Sequence, residues 1–236
     1  MNQTETTEKP YVLDEVAFKP SFAALMKRLR MKEGSRQIPE LTGIFEAAKE
    51  IAKPKALYKL AYIDEKGEDT VTVDGIVLSS RVLRVNLDVA HRLFAYVATC
   101  GMELQTWGDS LDDVLQRYWV DAIKEMALVA ATQALAHHLA ACYDLGRTAT
   151  MAPGSLPDWP IREQRPLFAI LGDPQAAIGV ELTESFLMIP NKTVSGVRFP
   201  TEERFESCQL CPREGCPGRR AAYEPDLFER KYREQA

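Results

Sequence analysis

The densest chemistry in this 236-residue chain lies near its C-terminus, in Cys208-Gln-Leu-Cys211-Pro-Arg-Glu-Gly-Cys216. A CxxC turn lets two thiolates reach one metal, and the Pro212/Gly215 turn can fold Cys216 back onto them. Three thiolates this close suit a zinc ion or an iron–sulfur cluster, both of which take four ligands. The spacing does not choose between the two. The fourth ligand must come from Cys100, Cys142, a histidine or an exogenous group. Cys142 falls on a helix face expected to point into the core, so Cys100 is the expected internal thiolate. Arg213, Arg219 and Arg220 would stabilise the charge of a thiolate cluster. Read as structure alone, the same residues form a loose tail of reducible thiols.

Other reactive types are sparser. His138 and Cys142 stand four apart on one helical face, a spacing open to a metal but more often that of a hydrogen-bonded boundary histidine. Glu181 and Glu184 flank an otherwise apolar strand, and no partner base stands out for acid–base work. No Gly-rich phosphate loop, GxSxG or HExxH occurs. Met126, Met151 and Met188 read as core.

These residues need elements to hold them. Phe22, Leu25, Met26 and Leu29 recur at helical spacing over 20–30, and a second helix is expected over 39–51. Runs at 56–63 and 70–78 read as a hairpin joined by the charged turn at 64–69; Val71, Val73 and Val77 give the second its period of two. A stretch over 79–87 fits a strand or a short helix. A buried strand follows at 94–99, then one long helix at about 111–143, nearly all Ala, Leu and Val in its upper half. A Pro/Gly-rich loop over 152–160 leads to a helix at 161–171. Two strands, 179–190 and 191–199, precede the cysteines, and a charged helix over 226–235 closes the chain. Helices and hairpins in blocks predict a single α+β domain, a twisted and mainly antiparallel sheet covered by helices. The expected organisation is a disordered tail at 1–15, the domain at 16–204, and a cysteine-containing segment at 205–236.

A formal net charge of −5 and 46% hydrophobic residues describe an ordinary acidic globular protein, with no basic field for nucleic acid. No run approaches the roughly 18 apolar residues of a membrane span. The polar N-terminus does not resemble a signal peptide, and three cysteines crowded into nine residues without an export signal point to metal rather than disulfides. The expected location is therefore cytoplasmic.

Leu182-Thr-Glu-Ser-Phe-Leu-Met-Ile-Pro190, followed by Thr193-Val-Ser-Gly196, resembles the LTESFAMxPxxSVSG signature of the reactivation domain of cobalamin-dependent methionine synthase. Ala152-Pro-Gly154 occupies the place of that domain's RxAPGYP loop. The N-terminal helices, the hairpin, Ala98-Thr-Cys-Gly101 and the three terminal cysteines resemble smaller stand-alone members of the family. The resemblance implies an α+β accessory factor that docks on a cobalamin-binding methyltransferase or corrinoid protein. There it would support reductive methylation of inactive cob(II)alamin, with the electron from a redox donor protein and the methyl group from S-adenosylmethionine. It implies a donor site at Ala152, Gly154, Glu184 and Ser185. The family's loop arginine falls on Thr150, its loop tyrosine on Ser155, and a helix carboxylate on Gln133. Loss of the arginine removes a charged hydrogen bond of roughly 1.5–3 kcal/mol, so S-adenosylmethionine binding is expected to be weakened. A low-potential iron–sulfur centre at the cysteines would supply the electron instead. Other readings are a capping module with structural zinc, and a true S-adenosylmethionine-dependent reactivase.

Overall fold

The computed structural model describes residues 9–233. Its frame is an antiparallel sheet of seven strands: β1 (Tyr11–Leu13), β2 (Lys55–Lys66), β3 (Thr70–Val73), β4 (Ile76–Ser79), β5 (Arg92–Thr99), β6 (Thr148–Met151) and β9 (Thr193–Pro200). The order is β4-β3-β2-β5-β9-β6, with β1 added alongside β2. β7 (Glu181–Leu182) and β8 (Met188–Ile189) form a separate two-stranded ribbon. The helices are α1 (Phe22–Arg28), α2 (Ile38–Ile51), α3 (Arg81–Asn86), α4 (Met102–Ser110), α5 (Val114–Cys142), α6 (Gln164–Leu171) and α7 (Pro174–Ile178). The result is a single α+β domain with helices on both faces of a mainly antiparallel sheet.

The run Ala56–Ala61 in β2 is buried throughout and apolar except for Lys59, whose ammonium pairs with Asp74 at 2.7 Å, and it reflects that double cover. On one face, Tyr58, Leu60, Phe94 and Ala98 pack against Ala131, Leu135 and Leu139 of α5. On the other, Leu57, Leu93, Val97 and Phe199 pack against Leu167 and Leu171 of α6 and Leu83 of α3. A third cluster joins α1, α2 and the first half of α5 around Leu25, Leu41, Phe45, Trp119 and Ile123. α5 starts where Asp113 accepts hydrogen bonds from Leu115 N (2.6 Å) and Gln116 N (3.3 Å), a side-chain cap for its free amides.

Several expectations are corrected. Tyr11–Leu13, assigned to a tail, add a strand because Tyr58, Leu57 and Ala56 offer a free edge; residues 1–8 lie outside the described residues. The 70–78 run breaks into two strands at Asp74-Gly75, both at positive φ (46° and 76°), the conformation a two-residue hairpin turn requires. The 79–87 stretch is α3, capped by Ser80. Ahead of the long helix, residues 102–110 form α4. Residues 179–190 are not one strand, since Phe186 at φ 64° turns the chain back. The charged C-terminal helix is a five-residue π turn, Phe228–Tyr232, as far as the described residues run. The cysteine segment is no appendage: Phe205, Leu227 and Tyr232 are buried in the main core. No helix among the described residues is long and apolar enough to cross a membrane.

Candidate functional site

A cleft of about 630 Å3 opens on the α5 side of the sheet, at its β6 edge. One wall is β9, with Val194, Ser195 and Arg198, and Tyr96 of β5 beside it. A second is the turn from Thr150 through Ala152 and Gly154 to Ser155, and a third is Thr132 and Leu135 of α5. The tail supplies the last with Cys208, Cys211, Arg213, Cys216 and Arg220.

Cross-strand register sets the floor. Tyr96 pairs with Gly196, and Thr150 pairs with Arg198, so all four side-chain positions share the face toward α5. Burial raises the Tyr96 hydroxyl pKa, against the opposing pull of the Arg198 and Arg220 guanidiniums. Arg198 donates from Nη1 to Thr148 Oγ1 at 3.3 Å, and its Nε is buried with no acceptor among the described residues.

The loop is rigid. Gly154 N donates to Trp159 O at 2.7 Å, and Gly154 sits at φ +83° with Ile161 so close that a Cβ would stand 2.7 Å from its Cδ1. Asp158 ties the loop to the start of α3, accepting from Val82 N at 3.0 Å and from the Ser80 hydroxyl. Glu163 accepts from Ser79 N at 2.8 Å.

The tail is pinned at Tyr232 and organised from within. Arg81 donates to Tyr232 O (3.0 Å) and the Tyr232 hydroxyl donates to Asn86 Oδ1 (3.1 Å). The Arg219 guanidinium donates to the carbonyls of Cys208 and Cys211 at 3.0 Å each, of Ala221 at 3.3 Å, and of Arg213. Arg220 N donates to Cys208 Sγ at 3.4 Å, while its side chain pairs with Glu206 at 3.0 Å.

The structure brings some of the expected site residues together and separates others. Ala152 and Gly154 line the same cleft as Cys208, Cys211 and Cys216. Glu184 and Ser185 do not line it; they are exposed at the tip of the β7–β8 turn, which the Thr183 hydroxyl closes by accepting from Leu187 N at 3.0 Å. Cys100 lies elsewhere as well. It is fully buried against Leu104 and Trp119 in the helical cluster, its amide donating to Lys192 O at 3.0 Å, and burial pushes its thiol up to about 11. Cys142 is exposed at the end of α5, 3.6 Å from His138 Nε2, which also bonds the Tyr58 hydroxyl at 3.0 Å. Among the described residues no group of three or more His, Cys, Asp or Glu side chains is arranged to hold a metal. The tail thiols share a wall without forming a ready metal site. Arg198 escaped the sequence reading, because only the β6–β9 register places it opposite Thr150.

No family model matches the sequence, and no curated protein matches it. Among solved structures, the chain is similar to the MetH reactivation domain in its crystal structure bound to AdoHcy. The TM-score is 0.56 at 14% identity, over 85% of this chain and 82% of that one. That likeness is one of fold.

Proposed function

We propose that this chain is an accessory factor that docks on a cobalamin-binding methyltransferase of the methionine synthase type and supports reductive reactivation of its corrinoid. The fold likeness to a reactivation domain supports the docking half of this reading. The observation that carries the other half is that the three tail cysteines and the Thr150–Ser155 turn line one cleft. The same cleft is walled by Arg198, Arg213 and Arg220. Three thiols on one wall are suited to redox chemistry or to metal capture, although a metal held by all three would require the segment to draw inward. An iron–sulfur cluster and a structural zinc are both compatible with thiolates; iron, zinc and sulfide analysis of anaerobically purified protein separates them.

The test mixes the protein with the isolated cobalamin-binding domain of a methionine synthase in its cob(II)alamin state. Docking is read by gel filtration, and loss of the cob(II)alamin spectrum is followed under a low-potential reductant. The expected result is co-elution and faster cob(II)alamin loss, with the acceleration absent in a Cys208→Ser/Cys211→Ser/Cys216→Ser variant that still co-elutes. Failure of the wild-type protein to co-elute with any corrinoid domain would sink the proposal.

A further inference from the structure

We infer that Cys208 and Cys211 form a reversible dithiol–disulfide pair that exchanges with small disulfides, Cys208 as the attacking thiol and Cys211 as the resolving one. The inference rests on the reading of the tail cysteines as redox groups and needs no docking partner.

Backbone geometry sets the pair. Ser207–Leu210 is a 3-10 turn with Cys211 as its C-cap, and the Cys211 amide donates to Cys208 O at 3.3 Å. A turn closed in this way holds its end Cα atoms within about 7 Å, and side chains three apart in a 3-10 helix stand over one another. A disulfide asks for just that, since it spans Cα separations of roughly 4.4–6.8 Å. Several bonds hold the turn in shape. Glu206 and Gln209 cap it reciprocally, and Gln209 pairs with Glu224 twice, accepting at its carbonyl from Glu224 N and donating from Nε2 to Glu224 Oε1, each at 2.8 Å. The Arg219 guanidinium bridges the carbonyls of both cysteines at 3.0 Å each. Closing the bridge therefore costs little further chain entropy.

The two thiols are not equivalent. Cys208 Sγ accepts from Arg220 N at 3.4 Å, which holds it at the cleft wall, whereas Cys211 packs with Leu210 against the main core cluster. An incoming disulfide meets Cys208 first. Cys216 belongs to a different turn: its carbonyl accepts from Arg219 N at 3.2 Å, and its sulfur leans toward Gly218, 4.0 Å from where a Cβ would stand.

With oxidised glutathione the reaction balances as two exchanges. The Cys208 thiolate attacks one sulfur of the disulfide, forming a mixed disulfide and releasing one glutathione thiolate. The Cys211 thiolate then attacks Cys208 Sγ, closing the internal bridge and releasing the second. The protein gives up two electrons and two thiol protons, and both end on the two glutathione thiols.

The sequence provides a clean test, because trypsin leaves Cys208 and Cys211 together in the peptide 205–213 and Cys216 alone in 214–219. The full-length protein, reduced and freed of metal with a chelator, is incubated with oxidised glutathione, quenched with N-ethylmaleimide, digested and weighed. Oxidised glutathione is raised until Cys142, exposed and with no second cysteine in its helix turn, carries the glutathione adduct. The expected result is a 205–213 peptide without maleimide and lighter by two hydrogens, restored by dithiothreitol. Cys211→Ser should stop at a glutathione adduct on Cys208. Cys208→Ser should slow attachment at Cys211 by roughly tenfold or more, since access governs the rate of exchange. Circular dichroism melts confirm that each variant folds. A bridge joining 205–213 to 214–219 overturns the inference, as does an open pair once Cys142 carries glutathione, or unslowed attachment at Cys211 in Cys208→Ser. Co-elution with the corrinoid domain reads the docking proposal separately, because the digest needs no partner.

Discussion

The ring of Tyr96 lies across Gly196 on the neighbouring strand, directly opposite it in register, and fills the space a side chain there would occupy. A Cβ on Gly196 would stand 3.1 Å from the Tyr96 hydroxyl and 2.5 Å from Met151 O. The backbone oxygen cannot give way as a side chain would, so the strand must shift. Gly196→Ala is therefore expected to cost about 1–3 kcal/mol in urea unfolding, the usual range for overpacking. It should also displace Tyr96 from the cleft floor, visible as a changed tyrosine fluorescence or near-ultraviolet dichroism. A variant as stable as the wild type would show that the β6–β9 spacing is looser than described.

Cys100 belongs to the core rather than to the tail site. Cys100→Ser places a hydroxyl among Leu104 and Trp119, and is expected to cost about 1–3 kcal/mol. Iron or zinc content of the folded variant should equal that of the wild type, whereas Cys208→Ser and Cys211→Ser should lower it. Metal loss in Cys100→Ser with an unaltered melt would return Cys100 to the ligand set.

Alkaline solution should unfold the domain through groups that are neutral when folded. Burial raises the Cys100 thiol from 9.0 to about 11 and the Tyr232 hydroxyl from 10.0 to about 12. In the unfolded chain both ionise earlier, so their contribution to stability is fully present below pH 9 and is lost as pH rises toward 11–12. Melting temperatures at constant ionic strength should fall between pH 9 and about 12. Tyr232→Phe, which cannot ionise but also loses the bond to Asn86, should melt lower at pH 8 and fall less steeply above pH 10. A parallel fall in both proteins would assign the alkaline loss to other groups.

Asp158 is the latch between the cleft loop and α3. Asp158→Ala leaves Val82 N and the Ser80 hydroxyl without their acceptor, and is expected to cost about 0.5–2 kcal/mol, as loss of a helix cap does. Hydrogen exchange of the amides at Gly154 and Trp159 should quicken in the variant. Protection equal to that of the wild type would mean that the Gly154–Trp159 backbone bond alone holds the turn.

The residues that local patterning governs were legible in the sequence. The 3.6-residue spacing of Trp119, Ile123 and the alanines beyond places α5, the apolar run from Ala56 places β2, and Phe94–Thr99 places β5. The block order of helices and hairpins gave the α+β class, and the clustering of Cys208, Cys211 and Cys216 marked the segment that lines the cleft. Asp74-Gly75 carries a strong hairpin signal, but the period-two valines on either side of it read as one strand. What local pattern could not supply was anything decided by contacts distant in the chain. The positions of Glu184 and Ser185 on a turn tip follow from the left-handed backbone at Phe186 and the Thr183 hydroxyl bond. Whether Cys100 met the tail depended on which of three core clusters received it. The tail itself became part of the domain only through Phe205, Leu227 and Tyr232 entering a core whose strands begin as far back as Leu57. Arg198 is the plainest case: it lies 48 residues from Thr150 in sequence and directly across from it in the sheet, and a one-residue slip in register would have turned it to the opposite face.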